Sequence, residues 1–236
     1  MKALVLASGG IDSSTALAMA VKEFGNKEVM ALSLYYGQKH DKELEAAKKI
    51  ADHYGVEQFF LDLSLIFKDS ASSLLKGSDA QIPEGSYAGQ KSDSTNGMSA
   101  CEGSDGLIST YVPFRNGLFL SVAASIAQAK GCEKLIYAIH SDDAVGAAYP
   151  DCTPEFNDAM KRSILEGTGH EITVEAPFVN MTKSDIVKTG LELGVPYELT
   201  WSCYEGGEYP CGKCATCIDR EKAFADNGQS DPCRKS

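Results

Sequence analysis

Apolar positions recur along this chain with two periods in alternation. Lys2–Ala7 reads as a buried strand around the unbroken apolar run Ala3–Ala7, and Glu28–Tyr36, Gln58–Leu63, Lys134–Ile139 and Ile172–Ala176 read as further strands. Between them apolar residues return at helical spacing. Ala16, Leu17, Ala20, Val21 and Phe24 mark a helix over Ser13–Phe24, with Gly25 as its stop. Leu44, Ala47 and Ala51 mark a second over Asp41–Tyr54, closed by Gly55. An alanine-rich third spans Leu118–Lys130, closed by Gly131. Strands alternating with helices predict an α/β fold, a doubly wound, mostly parallel sheet covered on both faces. Ligands of such sheets bind beyond the carboxyl ends of the strands, where Ser8, Tyr36-Gly37-Gln38 and His140 fall. The pattern places this α/β domain at residues 1–181 and a C-terminal helical and four-cysteine region at 182–236. Thr182-Lys183-Ser184-Asp185 reads as a capping box opening a helix to Leu193-Gly194. Residues 69–110 break the periodicity. They are rich in Ser, Gly and Asp, and fit a long loop or lid and a disordered stretch equally.

Composition narrows the function. At 236 residues and 43 % apolar content the chain builds its core without staples. No apolar run reaches the about 18 residues of a membrane span. Met1-Lys2 leads straight into a strand without a signal-peptide pattern, so a cytoplasmic location is expected. A net charge of −11 argues against nucleic acid and for small-molecule partners, because nucleic-acid affinity comes from neutralising phosphates.

Two constellations carry chemistry. The first is Ser8-Gly9-Gly10-Ile11-Asp12-Ser13, followed by Ser14 and Thr15, behind the first strand. Adjacent glycines turn backbone N–H groups outward, and a helix start adds about half a positive charge. Together they suit a phosphate chain. Neither the Walker loop nor the G-x-G-x-x-G fingerprint is present. The other reading is an ordinary strand-to-helix turn. The second constellation is Cys203, Cys211, Cys214 and Cys217. Four thiolates at this spacing can close a tetrahedral, structural Zn²⁺ site, with an Fe–S cluster as the alternative. The remaining four cysteines, Cys101, Cys132, Cys152 and Cys233, carry no such pattern.

The loop resembles the pyrophosphate (PP) loop of ATP pyrophosphatases. Loop and cysteine cluster on one chain resemble the 7-cyano-7-deazaguanine synthase family. Tyr36-Gly37-Gln38-Lys39-His40, Val112-Pro113-Phe114-Arg115-Asn116, Tyr149-Pro150-Asp151-Cys152-Thr153-Pro154-Glu155-Phe156 and Thr200-Trp201-Ser202-Cys203-Tyr204 support it. The likeness covers most of the chain but not residues 69–110, where Gly97–Cys101 matches nothing in the family.

The resemblance implies ATP-dependent conversion of 7-carboxy-7-deazaguanine and ammonia to the nitrile, through an adenylated acid and an amide. It implies ATP with Mg²⁺ bound by Ala7, Ser8, Gly9, Gly10, Ile11, Asp12, Ser13, Ser14, Thr15, Gln38 and His40. Asp12, Ser13, Arg115 and Lys183 would act catalytically, and Arg115, Asn116, Tyr149, Asp151 and Glu155 would meet the deazaguanine. A homodimer is expected from the family. Each residue also has a structural reading: a helix cap for Asp12, a surface ion pair for Arg115, a capped loop for Tyr149, Asp151 and Glu155, and a solvated helix turn for Lys183. Trp201 would shelter the zinc loop rather than stack on a ring. A PP-loop ligase or thiolase acting on tRNA and a non-enzymatic ATP sensor are the competing functions.

Overall fold

The computed structural model describes residues 1–86, 108–141 and 149–234. Five parallel strands form one sheet: β1 (Ala3–Leu6), β2 (Val29–Tyr35), β3 (Glu57–Asp62), β4 (Lys134–Ile136) and β5 (Thr173–Glu175), in the order β3-β2-β1-β4-β5. Among the described residues the α-helices are α1 (Ile11–Phe24), α2 (Lys42–Tyr54), α3 (Arg115–Ala129), α4 (Pro154–Gly167), α5 (Lys183–Leu193) and α6 (Ala215–Asp226).

Strand alternation divides the core. Ala3 and Val5 face one side, with α1, α2, α5 and α6 packed over them through Leu17, Ile50, Ile186 and Phe224. Leu4 faces the other, under α3 and α4 through Leu120, Ala123 and Ile164. A strand buried on both faces must be apolar at every position, which is why Ala3-Leu4-Val5-Leu6 is an unbroken run. The chain leaves β1 toward β2 on one side and reaches β4 on the other, so the strand order reverses at β1/β4. A crevice opens there beyond the carboxyl ends.

The expected strands and three of the helices are present with shifted ends. The fourth strand stops at Ile136 rather than Ile139: the Tyr137 N–H still donates to the Glu175 carbonyl at 3.0 Å, and Ala138–His140 then leave the ladder to wall the crevice. The helix expected from Ser13 begins at Ile11, and that expected from Leu118 begins at Arg115. The helices α4 and α6 were not foreseen. The capping box is formed: the Asp185 N–H donates to the Thr182 hydroxyl at 3.2 Å, and the Thr182 N–H donates to the Asp185 carboxylate at 3.0 Å. The helix it opens packs on α1 in one core, with Ile186 and Val187 beside Leu17.

The described ends of the 69–110 segment are docked. Leu74, Leu75, Ile82 and Ile108 are buried, the Ser73 N–H donates to the Ser109 carbonyl at 2.8 Å, and Gln38 pairs with Leu75. Gly97–Cys101 lies outside the described residues. No helix among the described residues is long and apolar enough to cross a membrane.

Candidate functional site

A cavity of about 250 Å³ occupies the crevice. Its floor is apolar, from Leu6, Leu32 and Leu34, and its walls mix polar groups with Ile11, Leu44, Phe119, Ile139 and Trp201. Of the expected site residues, Ala7, Ser8, Gly10, Ile11, Asp12, Ser13, Gln38, Arg115, Asn116, Tyr149 and Lys183 line it.

The loop is folded on itself. The Ser8 and Ser13 hydroxyls are 3.0 Å apart, and the Ser13 hydroxyl donates to the Gly10 carbonyl at 3.4 Å. No side chain caps α1, so the N–H groups of its first turn keep their donor capacity and the dipole faces the cavity. Lys183 reaches across from the first turn of α5 and donates to Asp12 Oδ2 at 2.5 Å, while His140 Nε2 lies 3.8 Å from the same oxygen. Burial alone would raise the Asp12 carboxyl. The charge of Lys183 and then of His140 outweighs it, so Asp12 sits below the ordinary range. Asp12 Oδ1 and the Ser14 hydroxyl are buried without a hydrogen-bond partner among the described residues. Such atoms are costly unless something else satisfies them, and a phosphate with its cation would satisfy both kinds.

The opposite wall is built on strain. Phe114 precedes α3 in the left-handed region at φ 53°, its N–H donating to the Tyr111 hydroxyl at 2.9 Å. Its ring fits only because residue 117 is glycine, where a Cβ would lie 2.3 Å from it. This kink delivers Arg115 to the cavity, 3.3 Å from the Tyr36 hydroxyl and over its ring at 5.1 Å. Burial raises the Tyr36 phenol to about 12 against the pull of Arg115. Asn116 Nδ2 donates to Cys152 Sγ at 3.2 Å. The Tyr149 hydroxyl meets that of Thr110 at 2.7 Å.

Other expected residues have different surroundings. Thr15 is buried in the core, its hydroxyl 2.8 Å from that of Tyr197. His40 packs beside Gly206, and burial lowers its imidazole. Asp151 accepts the Asn116 N–H at 2.8 Å. Glu155 is exposed in the first turn of α4. Gln38 lines the cavity but turns its Oε1 back to accept the Tyr36 N–H at 2.9 Å. Sequence reasoning missed Glu43, on the first turn of α2. Its signal was a carboxyl one turn ahead of the buried Ala46, Ala47 and Ile50. Burial raises it to about 7, with Arg115 pulling the other way.

The sulfurs of Cys203, Cys211, Cys214 and Cys217 all lie within 4.8 Å of one another. The Cys211–Cys217 separation of 3.9 Å is near the roughly 3.8 Å between thiolates on a tetrahedral zinc with ~2.3 Å bonds. The Cys211 N–H donates to Cys203 Sγ at 3.3 Å, and the Lys213 and Cys214 N–H groups donate to Cys211 Sγ at 3.4 Å. These sulfurs, with backbone N–H groups donating to them, fit a closed site for one metal ion held by four thiolates. Trp201 packs on the cluster, its indole N–H donating to the Cys203 carbonyl at 2.8 Å. Its backbone N–H donates to the Gly9 carbonyl at 2.9 Å, so cluster and loop are joined.

Residues 2–228 match the family described as queuosine biosynthesis protein QueC. Among similar proteins, the 7-cyano-7-deazaguanine synthase of Archaeoglobus fulgidus is 43 % identical over 98 % of this chain and 89 % of its own length. That of Caldicellulosiruptor saccharolyticus is 44 % identical over 98 % and 94 %. That of Oceanobacillus iheyensis is 42 % identical over 99 % and 97 %.

Proposed function

The chain belongs to the QueC family of queuosine biosynthesis proteins, and from that membership we infer that it is a 7-cyano-7-deazaguanine synthase. It turns 7-carboxy-7-deazaguanine into the nitrile with ATP and ammonia. The relatives are named for an enzyme, which sets aside the sensor reading. Small-molecule substrates fit the −11 net charge better than tRNA does.

The observation that carries the mechanism is the uncapped start of α1 at the cavity, with Lys183 held against Asp12. A carboxylate resists attack by ammonia because its oxygen leaves poorly. Transfer of AMP to that oxygen makes it a leaving group. A second transfer to the amide oxygen allows loss of that oxygen as the nitrile forms. The first-turn N–H groups and the Ser8, Ser13 and Ser14 hydroxyls hold the triphosphate. Lys183 offsets charge as pyrophosphate departs. Asp12, whose Oδ1 has no hydrogen-bond partner among the described residues, would hold the Mg²⁺ that accompanies ATP, since a carboxylate beside phosphate is favourable chiefly through a cation. Arg115 orients the carboxyl of the acid, and Asn116 and Tyr149 line its berth. The four cysteines would hold one structural zinc, which would brace the segment that Trp201 ties to the loop. The enzyme works in the cytoplasm as a homodimer.

Incubation with ATP, Mg²⁺, ammonium and 7-carboxy-7-deazaguanine, followed by mass spectrometry, is expected to yield the nitrile mass. Unchanged acid and unchanged ATP would refute the assignment.

A further inference from the structure

Glu43 stands where the loop and the cavity meet. Its side chain lines the cavity. Its backbone carbonyl presses on the loop, only 2.3 Å from where a Cβ on Gly9 would lie. Among the described residues the carboxyl makes no hydrogen bond and no ion pair, and the charge that acts on it is that of Arg115. Asp12, by contrast, is engaged by Lys183. The titratable side chains sharing the walls with Glu43 include Tyr36 and Arg115 on one side and Asp12, His140 and Lys183 on the other.

The nitrogen donor reaches the cavity at neutral pH as ammonium, which has no lone pair to attack with. A group at the cavity must remove a proton first. Resting on the synthase reading, we propose that Glu43 is the base that deprotonates ammonium beside the adenylated acid. A glutamate oxygen accepts one N–H proton. The freed lone pair forms the C–N bond at the acyl carbon. The C–O bond to AMP breaks, and its electron pair leaves on the phosphate. The nitrogen's excess proton passes to solvent. The anionic carboxylate also draws the cation in, and burial holds its affinity for protons near neutrality, where a base is most effective. AMP transfer to the acid precedes this step and does not need Glu43.

Hydroxylamine separates the two stages, because it is neutral at neutral pH and brings its own lone pair. Wild type and Glu43→Gln are compared with saturating ATP and 7-carboxy-7-deazaguanine, reading hydroxamate from hydroxylamine and amide plus nitrile from ammonium. The variant is expected to form hydroxamate within about threefold of wild type while ammonium-dependent kcat falls roughly 10²-fold or more. The KM for the acid should hold. Equal losses with both nucleophiles would overturn the proposal, because a role in substrate binding or folding strikes both. Undiminished ammonium turnover would overturn it too. Glu43→Asp keeps a carboxylate and is expected to recover part of the ammonium rate, and failure to do so counts against the proposal even if Glu43→Gln folds poorly. If wild type itself gives neither hydroxamate nor AMP, the synthase reading fails and takes the proposal with it. That result differs from a variant-specific loss.

Discussion

Gly9 owes its identity to packing. Its φ is +84°, and a Cβ there would lie 2.3 Å from the Glu43 carbonyl and 2.4 Å from the Ala47 nitrogen. The sequence suggested that both glycines admit a ligand. The space at Gly9 belongs to α2, whereas at Gly10 the nearest atom to an added Cβ is the Ser8 hydroxyl at 3.6 Å. A second local feature has a measurable pH signature. The Thr182 hydroxyl and N–H hold the Asp185 carboxyl below its ordinary 3.8. A lowered folded pKa means the stabilisation is complete above 3.8 and fades as pH falls through the folded value. Thr182→Ala is expected to cost about 1 kcal/mol at neutral pH, with the gap in urea midpoint narrowing in acid. A gap that widens in acid would contradict this account. That capping box was legible because its spacing is local. The loop letters of Asp12 and the turn letters of Arg115 were legible for the same reason. The Asp12–Lys183 pair spans 171 residues and was not, since no local pattern encodes it. Glu43 hid in a first turn where it alternates with Lys42 and Glu45, a pattern that reads as a charged helix start.

At the scale of elements, periodicity recovered what buries a plain apolar face. The strands β1 and β2 and the helices α1, α2, α3 and α5 do so, whereas β3, at the sheet edge, leaves Phe59 and Phe60 exposed. The missed helices have mixed inner faces. In α6 the buried positions are Ala215, Cys217, Arg220, Ala223 and Phe224, so a thiol of the cysteine cluster and a cation interrupt the apolar stripe. Arg220 is tolerated inside because Asp231, Thr200, Ser202 and the Tyr197 carbonyl satisfy its donors. In α4 the stripe is thin, with Asn157 and Ile164 its buried residues. The start was nevertheless readable: Thr153 caps it, accepting the Phe156 N–H at 3.2 Å, with Pro154 in the first turn. The cysteine segment lacks a core of its own beyond Ile82, Trp201 and Tyr204, so its order should depend on metal. Elemental analysis is expected to give one zinc per chain. Chelation should lower Tm and expose four additional thiols to a thiol reagent. Iron in place of zinc, or thiols that stay protected after chelation, would contradict the assignment.

For the whole molecule, function depends on segments far apart in sequence meeting at one strand-order reversal. The loop after β1, the first turns of α2, α3 and α5, the segment after β4 and the cysteine region all wall the same cavity. Sequence motifs named most of these segments, and the parallel topology predicted where they would converge. Distances and partners came only from the fold, because they are set by packing on both sheet faces. The central claim is that the amino-terminal loop grips the triphosphate so that AMP, not phosphate, passes to the acid. Phosphorus NMR of the complete reaction tests this directly. AMP and pyrophosphate should appear only when the deazaguanine acid is present, and neither should appear with Asp12→Ala. Accumulation of ADP and orthophosphate, or AMP formation that persists in Asp12→Ala, would contradict it.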